Sequence, residues 1–380
     1  MPVDVSAYSR TAGTSWQVAS LLSCSITRSY RETKLRFHPI FIAGTFSALL
    51  ATPICSMADA AWASASPSTP VVMEQVVVSG EQPGPGLWKV SKGDNVLWII
   101  GTQTPVPQKM TWRAKGLEAI VSQSQEILTE PSASVSLKQI GYFTALTMLP
   151  SAMQLRKNPD DATLKELVPA DLYARWLVLR DKYVDHYKIH DEEQNIERWR
   201  PMFAALELYR SAIRQSGLTS SSPVLPVIRA AANKHNVKIT ELKFEPTINE
   251  PRAALKELRA TRLADVDCFA KTIERIETDL ATMRVRANAW ATGDINALRN
   301  LPATDQRAAC EAAIRGASFV KTLGAQNLPG QIENMWLNAA EATLKRSKVA
   351  LAILPMVQII SPDGYLAKLR ARGYTVQEPE

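Results

Sequence analysis

The chain has 380 residues, of which 46% are hydrophobic, 7% aromatic and 21% charged. These values exclude a disordered, collagen-like or multi-spanning protein. The formal net charge is +7, but part of it comes from residues 1–60, where Arg10, Arg28, Arg31, Lys34 and Arg36 face only Asp4, Glu32 and Asp59. The remaining surplus is spread without a basic block, so no nucleic-acid partner is expected.

In chain order, residues 1–63 read as an N-terminal extension followed by a secretory signal over about 34–63. "KLRFHPIFIAGTFSALLATPICSMADAAWA" has a basic start, an apolar run from Ile40 to Cys55, and Ala58-Asp59-Ala60 or Ala61-Trp62-Ala63 as a cleavage site. Gly44 and Pro53 break a run that is short for a bilayer span. The polar stretch 1–33 sets that run far from Met1, which fits a start further in. Periplasmic export is the expectation, with membrane contact only through this segment if it stays uncleaved. Cys24 and Cys55 would leave with the leader, so Cys268 and Cys310 are the thiols that an oxidising compartment would pair. Two separate buried thiols are the alternative.

Residues 64–86 hold four prolines and three glycines and read as a linker, with one short strand at Val76–Val78. Order is expected from Leu87. "LWKV" and "VLWIIGT" flank a Gly-Asp turn as a β-hairpin, and the unbroken apolar run Val96–Ile100 reads as a strand covered on both faces. Helical periodicity begins at Trp112 and yields to a short strand near Ile127–Glu130. The middle, about 135–345, reads as helix after helix. Among these, "DEEQNIERWRPMFAALELYRSAIRQSG" places Pro201 at an interior kink, and one long amphipathic stretch runs from about Arg252 to Trp290. The interleaved charges of that stretch read as a solvated face. "VKITEL" is a short strand between helices. The chain closes with a helix, the strand "VALAIL", a helix stopped at Gly373, and the strand "YTVQ". Trp176, Trp199, Trp290 and Trp336 fall on helical stretches as core anchors. The expected fold is a single α/β domain over 87–380, with a central mixed β-sheet built from strands near both ends and covered by the helical middle.

No local motif announces chemistry. There is no Gly-x-Ser-x-Gly elbow, Walker loop or Gly-x-Gly-x-x-Gly turn after a strand. His186 and His190 stand one helical turn apart, where they could share a cation. No glutamate follows the first of them, and the surrounding Tyr, Lys, Asp and Glu suit a hydrated surface.

Both ends together, however, carry a resemblance. "GLWKVSKGDNVLWIIGT", "WATGD" at Trp290–Asp294 and "NMWL…VALAILPMVQIISPDGYLAKLRARGYTV" resemble TraB/GumN family proteins in order and spacing over residues 87–377. The resemblance implies a sheet with two Gly-x-x-His motifs at strand ends, joined by a glutamate on a neighbouring strand, as a metal-dependent peptidase centre. The chain departs from that pattern. Gly101 is kept, but Thr104 fills the first histidine slot. Gln358 fills the second, with Pro355 in place of its glycine. Glu130 fills the glutamate slot, and an Arg-Asn pair is replaced by Glu333-Asn334. A hydroxyl and an amide are weak donors beside imidazole for a transition ion, so no metal cofactor is expected. The candidate site is Glu130, Thr104 and Gln358, with Gly101 and Asn334 as binding positions. The expected function is a catalytically divergent, exported member whose former cleft binds a peptide or small envelope ligand. The alternative is an active metallohydrolase or peptidase with other ligands, such as His186 or His190.

Overall fold

A computed structural model describes residues 81–134, 136, 140–185, 195–248, 250–302, 306–317, 320 and 327–379. The leader, the strand expected at Val76–Val78, and His186 and His190 lie outside the described residues.

The hairpin forms as its pattern predicts. β1 (Leu87–Lys92) pairs antiparallel with β2 (Asn95–Thr102), and Gly93 turns between them at φ 62°. Residues 81–86, the end of the Pro/Gly segment before it, are already packed. Gln82 exchanges backbone hydrogen bonds with Thr111 and Arg113, and the Gly84 amide donates to Ala291. Its glycines permit close approach and do not act as spacers there. β3 (Val106–Pro107) and α1 (Lys115–Gln123) lead to β4 (Glu126–Leu128) and β5 (Ser132–Ala133).

The middle is helical, with short strands between. In order come α2 (Tyr142–Met153), α3 (Leu164–Leu167), α4 (Ala170–Tyr183), α5 (Pro201–Gln215), β6 (Leu218–Thr219) and α6 (Val224–His235). Next follow β7 (Lys238–Thr240), β8 (Lys243–Phe244), α7 (Pro251–Ala260), α8 (Val266–Thr278), α9 (Leu280–Thr292), α10 (Ile295–Asn300) and α11 (Gln306–Arg315). The chain ends with α12 (Leu328–Arg346), β9 (Val349–Pro355), α13 (Met356–Ile360), α14 (Tyr365–Ala371) and β10 (Thr375–Gln377).

Two helix expectations are corrected. Pro201 is the first residue of α5 and kinks nothing, because its missing N–H and fixed φ suit a helix start. Asn195 caps a separate turn at Ile196–Arg198, and Trp199 and Arg200 are extended. The stretch Arg252–Trp290 is three helices, α7, α8 and α9, where one was expected. The first break has a tertiary cause. The buried Arg200 guanidinium donates to the carbonyls of Leu258 at 2.8 Å, Arg259 at 3.0 Å and Thr261 at 2.5 Å, terminating α7. Asp265, also buried, accepts from the Met202 amide at 2.9 Å and starts the next segment.

The main sheet has the order β10-β1-β2-β9-β4-β7. β2, β9, β4 and β7 run parallel, while β1 is antiparallel to both β2 and β10. Strands from the two ends of the chain therefore meet in one mixed sheet, as the sequence pattern requires. β9 is inserted between β2 and β4, and five of its residues are fully covered, consistent with its continuous apolar run. One core surrounds this sheet through Trp88, Ile99, Ile127, Trp290, Trp336 and Leu351. A second lies among the middle helices around Trp176, Trp199, Leu208 and Phe269. Cys268 on α8 and Cys310 on α11 form a disulfide that fastens the two helices.

Candidate functional site at the carboxyl edge of the sheet

Parallel strands bring their carboxyl ends to one edge, which is where ligand sites of open α/β sheets form. β2 ends beside β9, with Gly101 opposite Leu354 and Thr102 opposite Pro355. β4 ends on the other side of β9, with Leu128 opposite Ala352. Thr129 extends that alignment, its amide donating to Thr240 and its hydroxyl accepting from the Leu242 amide. Glu130 is thus held just past the strand end. There the Thr102 hydroxyl donates to Glu130 Oε1 in a short hydrogen bond and also lies 3.4 Å from the Leu354 carbonyl.

A hydroxyl has one proton and two lone pairs. With Glu130 ionised, Thr102 donates to the carboxylate. With Glu130 protonated, the acid donates to Thr102 Oγ1, whose proton is then free to turn to Leu354. Burial pushes the Glu130 carboxyl up, opposed by the Thr102 hydrogen bond and by the charge of Arg307. Arg307 comes from α11, and its field also reaches Tyr365 on α14. The Tyr365 phenol is pushed up to about 12, mainly by burial and then by Glu333. Tyr365 packs against Trp336, with ring centroids 5.2 Å apart.

The surrounding motif residues act on the backbone. A Cβ at Gly101 would fall 2.4 Å from Met356 Cε and 3.2 Å from Ile359 Cδ1, so the glycine lets α13 close over the end of β2. The Gly101 carbonyl accepts a 2.8 Å hydrogen bond from the buried Trp290 indole, which gives the "WATGD" tryptophan a direct grip on the site strand. A Cβ at Gly364 would fall 2.2 Å from the Gln358 carbonyl, so the Asp-Gly turn also depends on glycine.

Not every sequence candidate joins Glu130. Its hydroxyl partner is Thr102 and not Thr104, which lies exposed in the following loop. Gln358 is half-buried on α13, five residues before Asp363, and its carbonyl lies against Gly364. Glu333 forms an ion pair with Lys368 at 2.5 Å, and Asn334 is exposed on α12. Sequence reasoning passed over Thr102, Arg307 and Tyr365. For Thr102 a signal existed: it is the residue after the glycine in "GTQT". Arg307 gave none, because it acts from a different helix.

The donor set does not fit the metal centre that the resemblance implies. One carboxyl, a hydroxyl and an amide lack the nitrogen or thiolate ligands that hold transition ions. Among the described residues no group of three His, Cys, Asp or Glu side chains could hold a metal ion. The arrangement instead offers a partly buried acid with a hydroxyl partner on one oxygen. A cavity of about 160 Å³ lies elsewhere, lined by Arg200, Arg262 and Asp265 among others. The polar groups of Arg200 and Asp265 are spent on helix ends, so this cavity is a gap between helices and no candidate site.

Fold and site together define an α/β protein that carries its polar groups on loops at the carboxyl edge of a mixed sheet. Residues 86–378 match the TraB/PrgY/gumN family, and the chain belongs to that family. No curated protein and no solved structure matches it.

Proposed function

We propose that this protein is an exported, catalytically divergent family member that uses the edge around Glu130 to bind a peptide or a small envelope ligand. The observation that carries the reading is the partly buried Glu130 carboxyl, engaged by Thr102 on one oxygen, with Thr104 and Gln358 where the family pattern has imidazoles. Among the described residues no side chain donates to Glu130 Oε2, which leaves that oxygen for an amide or hydroxyl of a ligand. Thr104 and Gln358 add neutral donors and acceptors on the adjoining loop and helix. The segment 34–63 supports export, with cleavage near Ala60 or Ala63.

The test compares small molecules and peptides that copurify with the wild-type protein and with Glu130→Ala. Mass spectrometry is expected to find a population on the wild type that the variant lacks. The same population on both would overturn the assignment of the site. N-terminal sequencing of the protein released from the periplasm tests export, and a cytoplasmic, unprocessed chain would refute it.

A further inference from the structure

α2 is built inside out. Tyr142, Phe143, Leu146, Leu149 and Met153 are 47% to 77% exposed, and five of the eight large apolar side chains exposed among the described residues lie on this one helix. Their spacing places them on one outward face, while Thr144, Ala145, Met148, Ser151 and Ala152 are partly covered. The helix has no charged residue and no fully buried one. Its hydroxyls are taken by the neighbouring helix α7, where Arg252 donates to Thr147 at 3.1 Å and Arg259 reaches Ser151 at 3.5 Å.

Arg252, Lys256 and Arg259 follow one another at four and three residues, so they form a single row along α7 beside the apolar ridge. All three are exposed, and among the described residues no carboxylate pairs with any of them. An outward apolar ridge flanked by unneutralised cations is the pattern of a helix that lies in a membrane interface. The aromatic pair Tyr142-Phe143 suits the headgroup level. Twelve residues extend about 18 Å, too short to cross a bilayer, and no helix of the described residues is long and apolar enough to do so. A second copy is the poorer occupant, because a two-fold contact through this face would bring two cation rows together.

We propose that α2 and the basic row of α7 dock the protein onto a bilayer surface rich in anionic phospholipid headgroups. The test uses the full chain with vesicles of phosphatidylcholine alone and of phosphatidylcholine mixed with phosphatidylglycerol. Flotation measures binding, and hydrogen exchange over residues 140–155 reports the helix itself, whatever the N-terminal segment does. Anionic vesicles are expected to slow exchange there, and Leu146→Asp or Lys256→Glu is expected to weaken flotation by at least about fivefold. Both substitutions fall on exposed positions, and unchanged circular dichroism would verify the fold. Unaltered exchange on bound vesicles, equal binding to phosphatidylcholine alone, or full binding by Leu146→Asp would overturn the proposal. So would a dimer in sedimentation that Leu146→Asp dissolves, since it would assign the face to a second copy.

Discussion

Thr102 and Glu130 are 28 residues apart, and their hydrogen bond places an acid where folding gains nothing from its charge. Burial raises the carboxyl above its value of 4.5 in the unfolded chain, so between those two values the folded state holds more proton. Stability therefore falls as pH rises through that window, and above it the full cost of an ionised buried acid remains. Glu130→Gln removes this cost. Its melting temperature is expected to exceed the wild type at neutral pH, and the gain should vanish below pH 4.5. A difference independent of pH would contradict the assigned environment. Gly101→Ala drives a methyl into Met356 and should cost about 1–3 kcal/mol in urea unfolding. Trp290→Phe leaves the Gly101 carbonyl unpaired and should cost a similar ~1–3 kcal/mol. The glycine was legible in the sequence as the end of the strand motif, and the side chains of Met356 and Ile359 fill the space that a Cβ would take. The Thr102–Glu130 pair was not, since it exists only after β9 separates β2 from β4.

At the level of elements, patterns set by local chemistry read through, and those set by distant partners did not. The β1–β2 hairpin, β9 and the Gly373 stop follow from turn residues, unbroken apolar runs and a left-handed φ of 83°. The breaks in Arg252–Trp290 do not, because amphipathic spacing continues while Arg200 takes the carbonyls that would carry α7 onward. Truncating Arg200 to Met strands those carbonyls and the Asp265 charge. A loss of about 3–5 kcal/mol is expected in denaturant titration. The Cys268–Cys310 bond spans 42 residues and ties α11, which bears Arg307, to α8. Reduction should lower stability by about 4 kcal/mol in the chain-entropy model, seen as an earlier thermal transition with reductant. An unchanged transition would mean that α11 is held by packing alone.

On the scale of the molecule, most of the mixed sheet was legible because five of its six strands lie near the ends of residues 87–380, outside the helical middle, while β7 joins it from between middle helices. The outward apolar face of α2 was not, because a periodic stripe states which residues share a face and not which way that face turns. The proposed divergence of the site rests on Thr104 and Gln358 in the positions where the resemblance implies imidazoles. The proposed role is polar recognition around Glu130 without a bound transition ion. The most direct measurement is the metal content of the natural chain, purified without chelators after exposure to zinc, cobalt and manganese, with peptide hydrolysis followed in parallel. The account predicts substoichiometric metal and no hydrolysis sensitive to chelation. One tightly held transition ion per chain, with hydrolysis lost on its removal, would contradict it.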